Sequence, residues 1–209
     1  MHQLMTIDAV VRLLRNGRPL AVTGAEAALD QLPVGPWVGA TTSPVRSPQG
    51  EVRTDRQVWV TELPARGLTT LHHVAADAMH EVWTQGPEQG YSLALLPEGG
   101  VAHVCCTQPD LAGAGQPQSP VVTWLARVEA GRPGQHPLIY FGKTGQKLSD
   151  GAVVAHVRLP NGQSPAEALA GLIAPEGVQV LGLAPGMASA PVGLRQPSEA
   201  TVGAALLAA

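Results

Sequence analysis

Apolar residues along the chain follow two spacings, one typical of helices and one typical of buried strands. Between residues 7 and 16 they recur every three or four positions, which predicts a helix with Thr6 as its N-cap and Gly17 just beyond its end. The other predicted helices cover 24–32, 69–83 and 164–173, and continuous apolar runs predict strands over 18–22, 37–42, 57–64, 90–99, 101–106, 121–128, 139–142, 153–160 and 177–186.

These predicted elements occur in a similar order twice, over residues 34–100 and 136–187. Each pass has an apolar run into a Gly-x-Thr turn, a second glycine turn, a strand ending in Leu-Pro, a helix and a last strand. We therefore predict an internal duplication within a single domain, residues 1–209. Because each unit hides only one sheet face under its helix, two units would stack. The predicted fold is α/β, a layered mixed-sheet sandwich with covering helices and two pseudo-repeated strand–helix–strand units. The alternative is that Gly and Leu-Pro punctuate unrelated strands.

Composition narrows the classes of protein. Hydrophobic residues make up 44% of the 209 residues and aromatic residues only 3%, so small aliphatic side chains must fill the core. The net charge is −3 and the only lysines are Lys143 and Lys147, which argues against binding of nucleic acid phosphates. No apolar stretch reaches the roughly 18 residues that span a membrane, and the N-terminus does not resemble a signal peptide. The adjacent Cys105 and Cys106 do not indicate a disulfide framework, so we expect a cytoplasmic protein.

Two glycine–threonine turns at equivalent points of the two passes suggest a ligand site. Such turns expose backbone N–H groups and short donors, which suits a carboxylate or a phosphate. No Walker motif accompanies them, and both residue types are also ordinary turn formers. The segment 108–118, rich in Pro, Gly, Gln and Ala, lies between the passes and is a candidate lid. The predicted ligand-binding residues are Trp37, Gly39, Thr41, Thr42, Lys143 and Thr144.

The predicted helix over 69–83 offers a second kind of site. His73, Asp77 and His80 are spaced so that they share one face of a helix. Two imidazoles and a carboxylate can hold a divalent metal ion when another element adds a ligand, for which His103 is the candidate. The alternative is an ordinary solvated polar face.

The predicted strand over 101–106 places His103 and Cys105 on one face, because side chains alternate along a strand. Such a pair can ligate a metal ion or haem, or act as a nucleophile and its base. The alternative is a buried strand in which cysteine is a small apolar residue and histidine bonds to a carbonyl oxygen. The motifs of serine hydrolases, HExxH metalloproteases and CxxC redox proteins do not occur.

The stretch from Trp37 to Thr42, with a glycine turn at Gly50 and a strand over 58–60, resembles the N-terminal part of FIST sensory domains. The later run over 93–99 is similar to a FIST strand with its Pro-x-Gly exit. This resemblance implies small-ligand sensing in bacterial signalling, and some members of that family are linked to haem and nitric oxide.

The chain also resembles an uncharacterised bacterial family of similar length. The resemblance rests on the Thr-Glu-Leu-Pro run over 61–64, on the surroundings of Trp124 and on the run from His156 to Pro160. It implies no function.

Taken together, these features predict a non-enzymatic module that binds a small polar molecule between the two units in a sensory or regulatory role. One alternative is a metal or haem protein that uses His73, His80, His103 or Cys105. Another is a small enzyme with a His103–Cys105 centre. The last is a scaffold subunit that pairs with copies of itself as a homo-oligomer. Neither nucleic acid nor a membrane is an expected partner.

Overall fold

The described part of the chain forms four stacked layers, with helices outside and two β-sheets between them. A computed structural model describes residues 2–42, 45–47, 50–52, 55–64, 68–107, 119–128, 135–170 and 179–183. One sheet has six strands and the other has five, and each combines parallel and antiparallel pairs. The predicted α/β class, with a layered sandwich of mixed sheets and covering helices, is therefore confirmed.

The elements are named in chain order. The strands are β1 (His2–Thr6), β2 (Leu20–Gly24), β3 (Trp37–Thr41), β4 (Val45–Ser47), β5 (Gly50–Val52), β6 (Gln57–Glu62), β7 (Thr69–Val74), β8 (Gly90–Pro97), β9 (Val121–Ala126), β10 (Ile139–Phe141), β11 (Gln146–Leu148), β12 (Ala152–Arg158) and β13 (Gln179–Leu183). The helices are α1 (Ile7–Arg15), α2 (Glu26–Leu29), α3 (His80–Thr84), α4 (Val101–Thr107) and α5 (Pro165–Ala170). The six-stranded sheet has the order β1-β6-β2-β3-β10-β11, the five-stranded sheet has the order β13-β9-β8-β12-β7, and β4 and β5 form a hairpin.

Three hydrophobic clusters hold the layers together. The inner faces of the two sheets meet through residues such as Val38, Leu93 and Val153. The outer face of the six-stranded sheet packs against α1 and α2, and the outer face of the five-stranded sheet packs against α3 and α4. Because β8 and β12 are covered on both faces, their sequences are nearly continuous apolar runs instead of alternating patterns.

The first predicted helix is confirmed together with its ends. The Thr6 hydroxyl oxygen accepts a hydrogen bond from the N–H of Ala9 at the start of α1, and Gly17 beyond its end has a φ of 70°. Glycine adopts this left-handed conformation without a steric cost, which lets the chain turn into β2. The apolar stripe buries Val10 and Leu14 against the six-stranded sheet.

The helix predicted over 69–83 is wrong in its first half. Residues 69–74 form β7, an edge strand that pairs antiparallel with β12. A 3-10 turn at Ala76–Ala78 and the short α3 follow. The apolar positions that suggested one helical stripe are divided between the inner cluster, which contains Leu71, and the outer cluster, which contains Val82. Hydrogen bonding to β12, which the local sequence cannot show, decides this conformation.

The strand predicted over 101–106 is also wrong, because these residues form α4. After β8 the chain turns at Gly99, whose φ is 80°, and the helix begins. Asp150 lies at the start of α4, where its Oδ1 atom accepts hydrogen bonds from the N–H groups of Ala102 and Gly151 at 3.2 and 2.8 Å. A carboxylate in this position satisfies an N–H group that has no partner within the helix.

Replacing Asp150 by alanine is expected to lower the free energy of unfolding by about 1 kcal/mol, because the N–H of Ala102 loses its acceptor. Asp150→Asn keeps an acceptor oxygen and should cost only a few tenths of this amount. Urea denaturation of both variants measures the difference. Equal stability of the alanine variant and the wild type would contradict the capping role.

The internal duplication is not confirmed. The strands that should correspond in the two passes are β6 and β12, and they lie in different sheets. β6 pairs with β1 and β2, whereas β12 pairs with β7 and β8. This difference favours the alternative that Gly and Leu-Pro punctuate strands with unlike neighbours.

The remaining sequence predictions concern membrane-spanning segments, the candidate lid and the end of the last predicted helix. Within the described ranges, no helix is long and apolar enough to cross a membrane. The predicted lid, residues 108–118, lies outside the described residues, as do residues 171–173 of the last predicted helix.

Candidate binding site

The two turns predicted to form one ligand site lie at opposite ends of a strand pair. β3 and β10 are antiparallel neighbours, with Ala40 opposite Ile139 and Val38 opposite Phe141. Thr41 and Thr42 therefore lie beside the start of β10, whereas Lys143 and Thr144 follow its end. The length of β3, about 13 Å at the usual rise per residue, separates the two groups. The structure therefore does not bring the two turns together.

Trp37 and Gly39, from the same predicted set, are packed against other residues of the protein. The Trp37 side chain is 2% exposed, its indole N–H donates to the carbonyl oxygen of Pro33 at 2.8 Å, and its ring stacks on Tyr140. A Cβ atom at Gly39 or Gly142 would lie 2.8 or 2.4 Å from the indole. Both glycines therefore make room for Trp37.

Two hydroxyl groups of the predicted set, those of Thr41 and Thr144, already have protein partners. Thr41 is buried, and its Oγ1 atom accepts a hydrogen bond from the N–H of Leu138 at 2.9 Å. Thr144 is exposed, with its Oγ1 atom 2.8 Å from Oε1 of Gln146. Thr42 donates its backbone N–H to the carbonyl oxygen of Gly24. These contacts tie the ends of strands together.

The predicted metal ligands do not assemble. His73 is on β7, Asp77 is in the 3-10 turn and His80 begins α3, so the helical spacing that should bring them together is absent. His103 and Cys105 are two positions apart on α4, which turns them to different sides of the helix. Among the residues that the structure describes, no three His, Cys, Asp or Glu side chains are grouped to hold a metal ion.

The enzyme alternative placed His103 and Cys105 on one face of a strand, and this arrangement is absent because both residues are on α4. The His103 ring accepts a hydrogen bond at Nδ1 from the N–H of Gly99, at 3.1 Å. Burial, with a smaller contribution from Cys105, raises the pKa of the neighbouring Cys106 thiol to about 12. Cys106 is therefore a protonated thiol at neutral pH.

A different polar group lies on the outer face of the five-stranded sheet. We call His72, Ser92, Ser119 and His156 the histidine–serine cluster. His156 on β12 lies directly opposite Ser92 on β8, and Nδ1 of its ring is 2.8 Å from the Ser92 hydroxyl oxygen. The ring of His72, on β7, is centred 5.3 Å from that of His156.

Exposure decreases along the histidine–serine cluster. His72 is exposed, His156 is 5% exposed and Ser92 is fully buried. Ser119, just before β9, is 1% exposed, and Gly86 passes over both serines: a Cβ atom there would lie 2.2 Å from Oγ of Ser119 and 3.3 Å from Oγ of Ser92. The polar side chains of the cluster therefore extend from the surface at His72 into the interior of the protein.

Two buried polar atoms of the cluster have no hydrogen-bond partner within the described residues. They are Nε2 of His156 and Oγ of Ser119. Most buried polar atoms in folded proteins are paired, and each one left without a partner costs about 1–3 kcal/mol. The cluster thus has hydrogen-bonding capacity that the described protein residues do not use.

The cluster lies within a region shared with a known protein family. A family model described as "Family of unknown function (DUF6976)" matches residues 5–182 of the chain. The chain belongs to DUF6976. This confirms the expected membership of a family of unknown function, whereas no FIST domain match supports the other resemblance. No curated protein and no solved structure is significantly similar to the chain.

Electrostatics keep both imidazoles of this DUF6976 protein neutral at pH 7. Burial, with a smaller contribution from His72, lowers the pKa of His156 to about 4. Partial burial and the positive charge of Lys143 lower the pKa of His72, whereas the carboxylate of Glu81 acts in the opposite direction. Lys143 thus belongs to the electrostatic surroundings of this cluster.

Sequence reasoning did not identify the histidine–serine cluster. One signal was present, because His156 interrupts a run of small apolar residues, Ala152–Val157, that reads as a fully buried strand. A histidine in such a run needs a polar partner. The partner could not be inferred, since Ser92 and His156 are far apart in sequence and meet only through the register of β8 and β12.

Proposed function

We propose that this DUF6976 protein is a small-molecule-binding module whose polar recognition centre is the histidine–serine cluster. The observation that carries the proposal is the buried Nε2 atom of His156, which has no partner among the described residues. The ligand lies at the outer face of the five-stranded sheet and not between β3 and β10.

The free-energy cost of burying polar atoms without hydrogen-bond partners supports a binding role. A leucine at position 156 would suit the neighbouring Val154 on the same face of the sheet without leaving a polar atom unpaired, whereas histidine buries one at a cost of about 1–3 kcal/mol. Burying the Oγ atom of Ser119 without a partner costs a similar amount of free energy. A polar ligand that hydrogen-bonds to these atoms removes both penalties, and they become part of its affinity.

Binding is favoured over catalysis by the position of Ser92. A serine hydroxyl 2.8 Å from a neutral imidazole has the pairing of a nucleophile with its base. However, Ser92 is fully buried in the middle of the sheet and Gly86 lies over it, so a substrate does not reach its oxygen. His72 is exposed and its ring lies next to that of His156. A ligand therefore approaches from the side of His72 and contacts His156 before Ser92.

Thermal denaturation in the presence of amino acids, carboxylic acids, amides, amines and nucleotides tests the proposal. A ligand at about one hundred times its dissociation constant should add about 2.7 kcal/mol of stability. For a chain of this size, the melting temperature should rise by roughly 5–11 °C. The stabilisation should be absent in His156→Asn, which keeps a polar atom near the position of Nδ1 and removes Nε2.

His80→Gln is the matched control, because it removes an exposed histidine on α3 and should keep the full ligand response. Ser119→Ala is a second variant in case His156→Asn is too unstable to measure, and it should weaken the response. A ligand that stabilises the wild type and His156→Asn equally would place the site elsewhere, and the absence of any stabilising ligand would contradict the proposed function.

A further inference from the structure

We propose that the ligand presents a hydrogen-bond acceptor oxygen, from a carbonyl or a carboxylate, to an N–H group at Nε2 of His156. The inference rests on the proposed function and specifies the chemistry of its ligand. Its geometric basis is the single short contact between Ser92 and His156 together with the unpaired atoms on either side of it.

Counting hydrogens assigns the tautomer of His156. The pair of Ser92 and a neutral His156 has two polar hydrogens, one on the hydroxyl and one on the imidazole, but only one hydrogen bond joins them. With the imidazole hydrogen on Nδ1, the hydroxyl hydrogen and the Nε2 lone pair both lack partners among the described residues. With it on Nε2, Ser92 donates to Nδ1 and only the Nε2–H remains unpaired. The second arrangement buries fewer unpaired groups and is favoured.

The remaining groups of the cluster agree with an acceptor on the ligand. The Ser119 hydroxyl is a second unpaired group that can donate, and it lies beside Ser92 under Gly86. The charged groups that act on the outer imidazole, His72, are Lys143 and Glu81, which have opposite signs. They favour neither a cation nor an anion strongly. An amide and a carboxylate therefore share the required chemistry, and experiment distinguishes them.

Long-range ¹H–¹⁵N NMR spectra of histidine side chains test the inference on the whole chain near neutral pH. We expect His156 to have a protonated Nε2 and an unprotonated Nδ1. Acetamide and acetate serve as the neutral and the anionic acceptor probes, and methylammonium, which has donors only, serves as the control at equal concentration. Addition of at least one acceptor probe should shift the Nε2–H resonance of His156, and methylammonium should not.

The outcomes separate this inference from the proposed function. A hydrogen on Nδ1, or a response of His156 to methylammonium alone, would overturn the acceptor assignment even if thermal denaturation identifies a ligand that requires His156. The expected tautomer with a response to acetamide, acetate or both would support it. If acceptors leave His156 unchanged while a donor-only compound stabilises the wild type and not His156→Asn, the module binds a ligand of the opposite chemistry and the inference is wrong.

Discussion

Replacing Trp37 by alanine is expected to lower the free energy of unfolding by about 3–5 kcal/mol. The indole is 2% exposed, belongs to the cluster between α1, α2 and the six-stranded sheet, and stacks on Tyr140 with ring centres 5.9 Å apart. Its removal leaves a large cavity, and the carbonyl oxygen of Pro33 loses its donor. Urea denaturation followed by circular dichroism measures the effect.

Lys143→Ala is the matched control for this experiment, because Lys143 belonged to the same predicted ligand set and its side chain is exposed. Its effect on stability should stay within about 0.5 kcal/mol. A large loss for Trp37→Ala with none for Lys143→Ala indicates that the tryptophan is part of the core. Should Trp37→Ala instead leave stability unchanged, the packing assigned to the indole would be wrong.

Acidification is expected to destabilise the protein through His156 by about 2 kcal/mol at pH 5 and about 3 kcal/mol at pH 4. The pKa of His156 is about 4 in the folded protein, against 6.5 as its ordinary value. Between these values the unfolded chain binds more protons than the folded one, so stability is present above about pH 6.5 and declines as pH falls towards 4. His72, whose pKa is also lowered, adds a smaller change of the same sign.

The comparison between wild type and His156→Asn isolates this contribution, because every carboxylate titrates in both proteins. The pH dependence of the unfolding free energy should be shallower in His156→Asn than in the wild type. An NMR titration of the wild type gives the pKa of His156 independently. Equal slopes in wild type and His156→Asn, or a titration of His156 near its ordinary value, would contradict the buried neutral state.

Both expected results concern residues whose surroundings the sequence described incompletely. Trp37 was placed correctly at the start of a buried strand, yet its neighbourhood depends on Gly142, which is distant in sequence. His156 was placed correctly on a strand, yet its chemistry depends on Ser92 and His72 from two flanking strands. Local pattern therefore located these residues without identifying their roles.

The errors in secondary structure have a common cause. β7 is a single short strand at a sheet edge, and its two neighbouring histidines blur the alternation that would predict a strand. α4 is only seven residues long and apolar, so periodicity does not distinguish it from a buried strand. Pairing with β12 fixes the first element, and the turn at Gly99 with the Asp150 cap fixes the second.

The sequence by itself determined the α/β class, the first helix with its cap, and the positions of most strands, because these follow from the local spacing of apolar residues and from turn chemistry. Only the tertiary structure decided which strands share a sheet, and with that which side chains meet. Strand order and register depend on contacts between distant segments, which local patterns do not encode. For that reason the paired turns lie at opposite ends of β3 and β10, and the histidine–serine cluster became visible only when β7, β8 and β12 lay side by side.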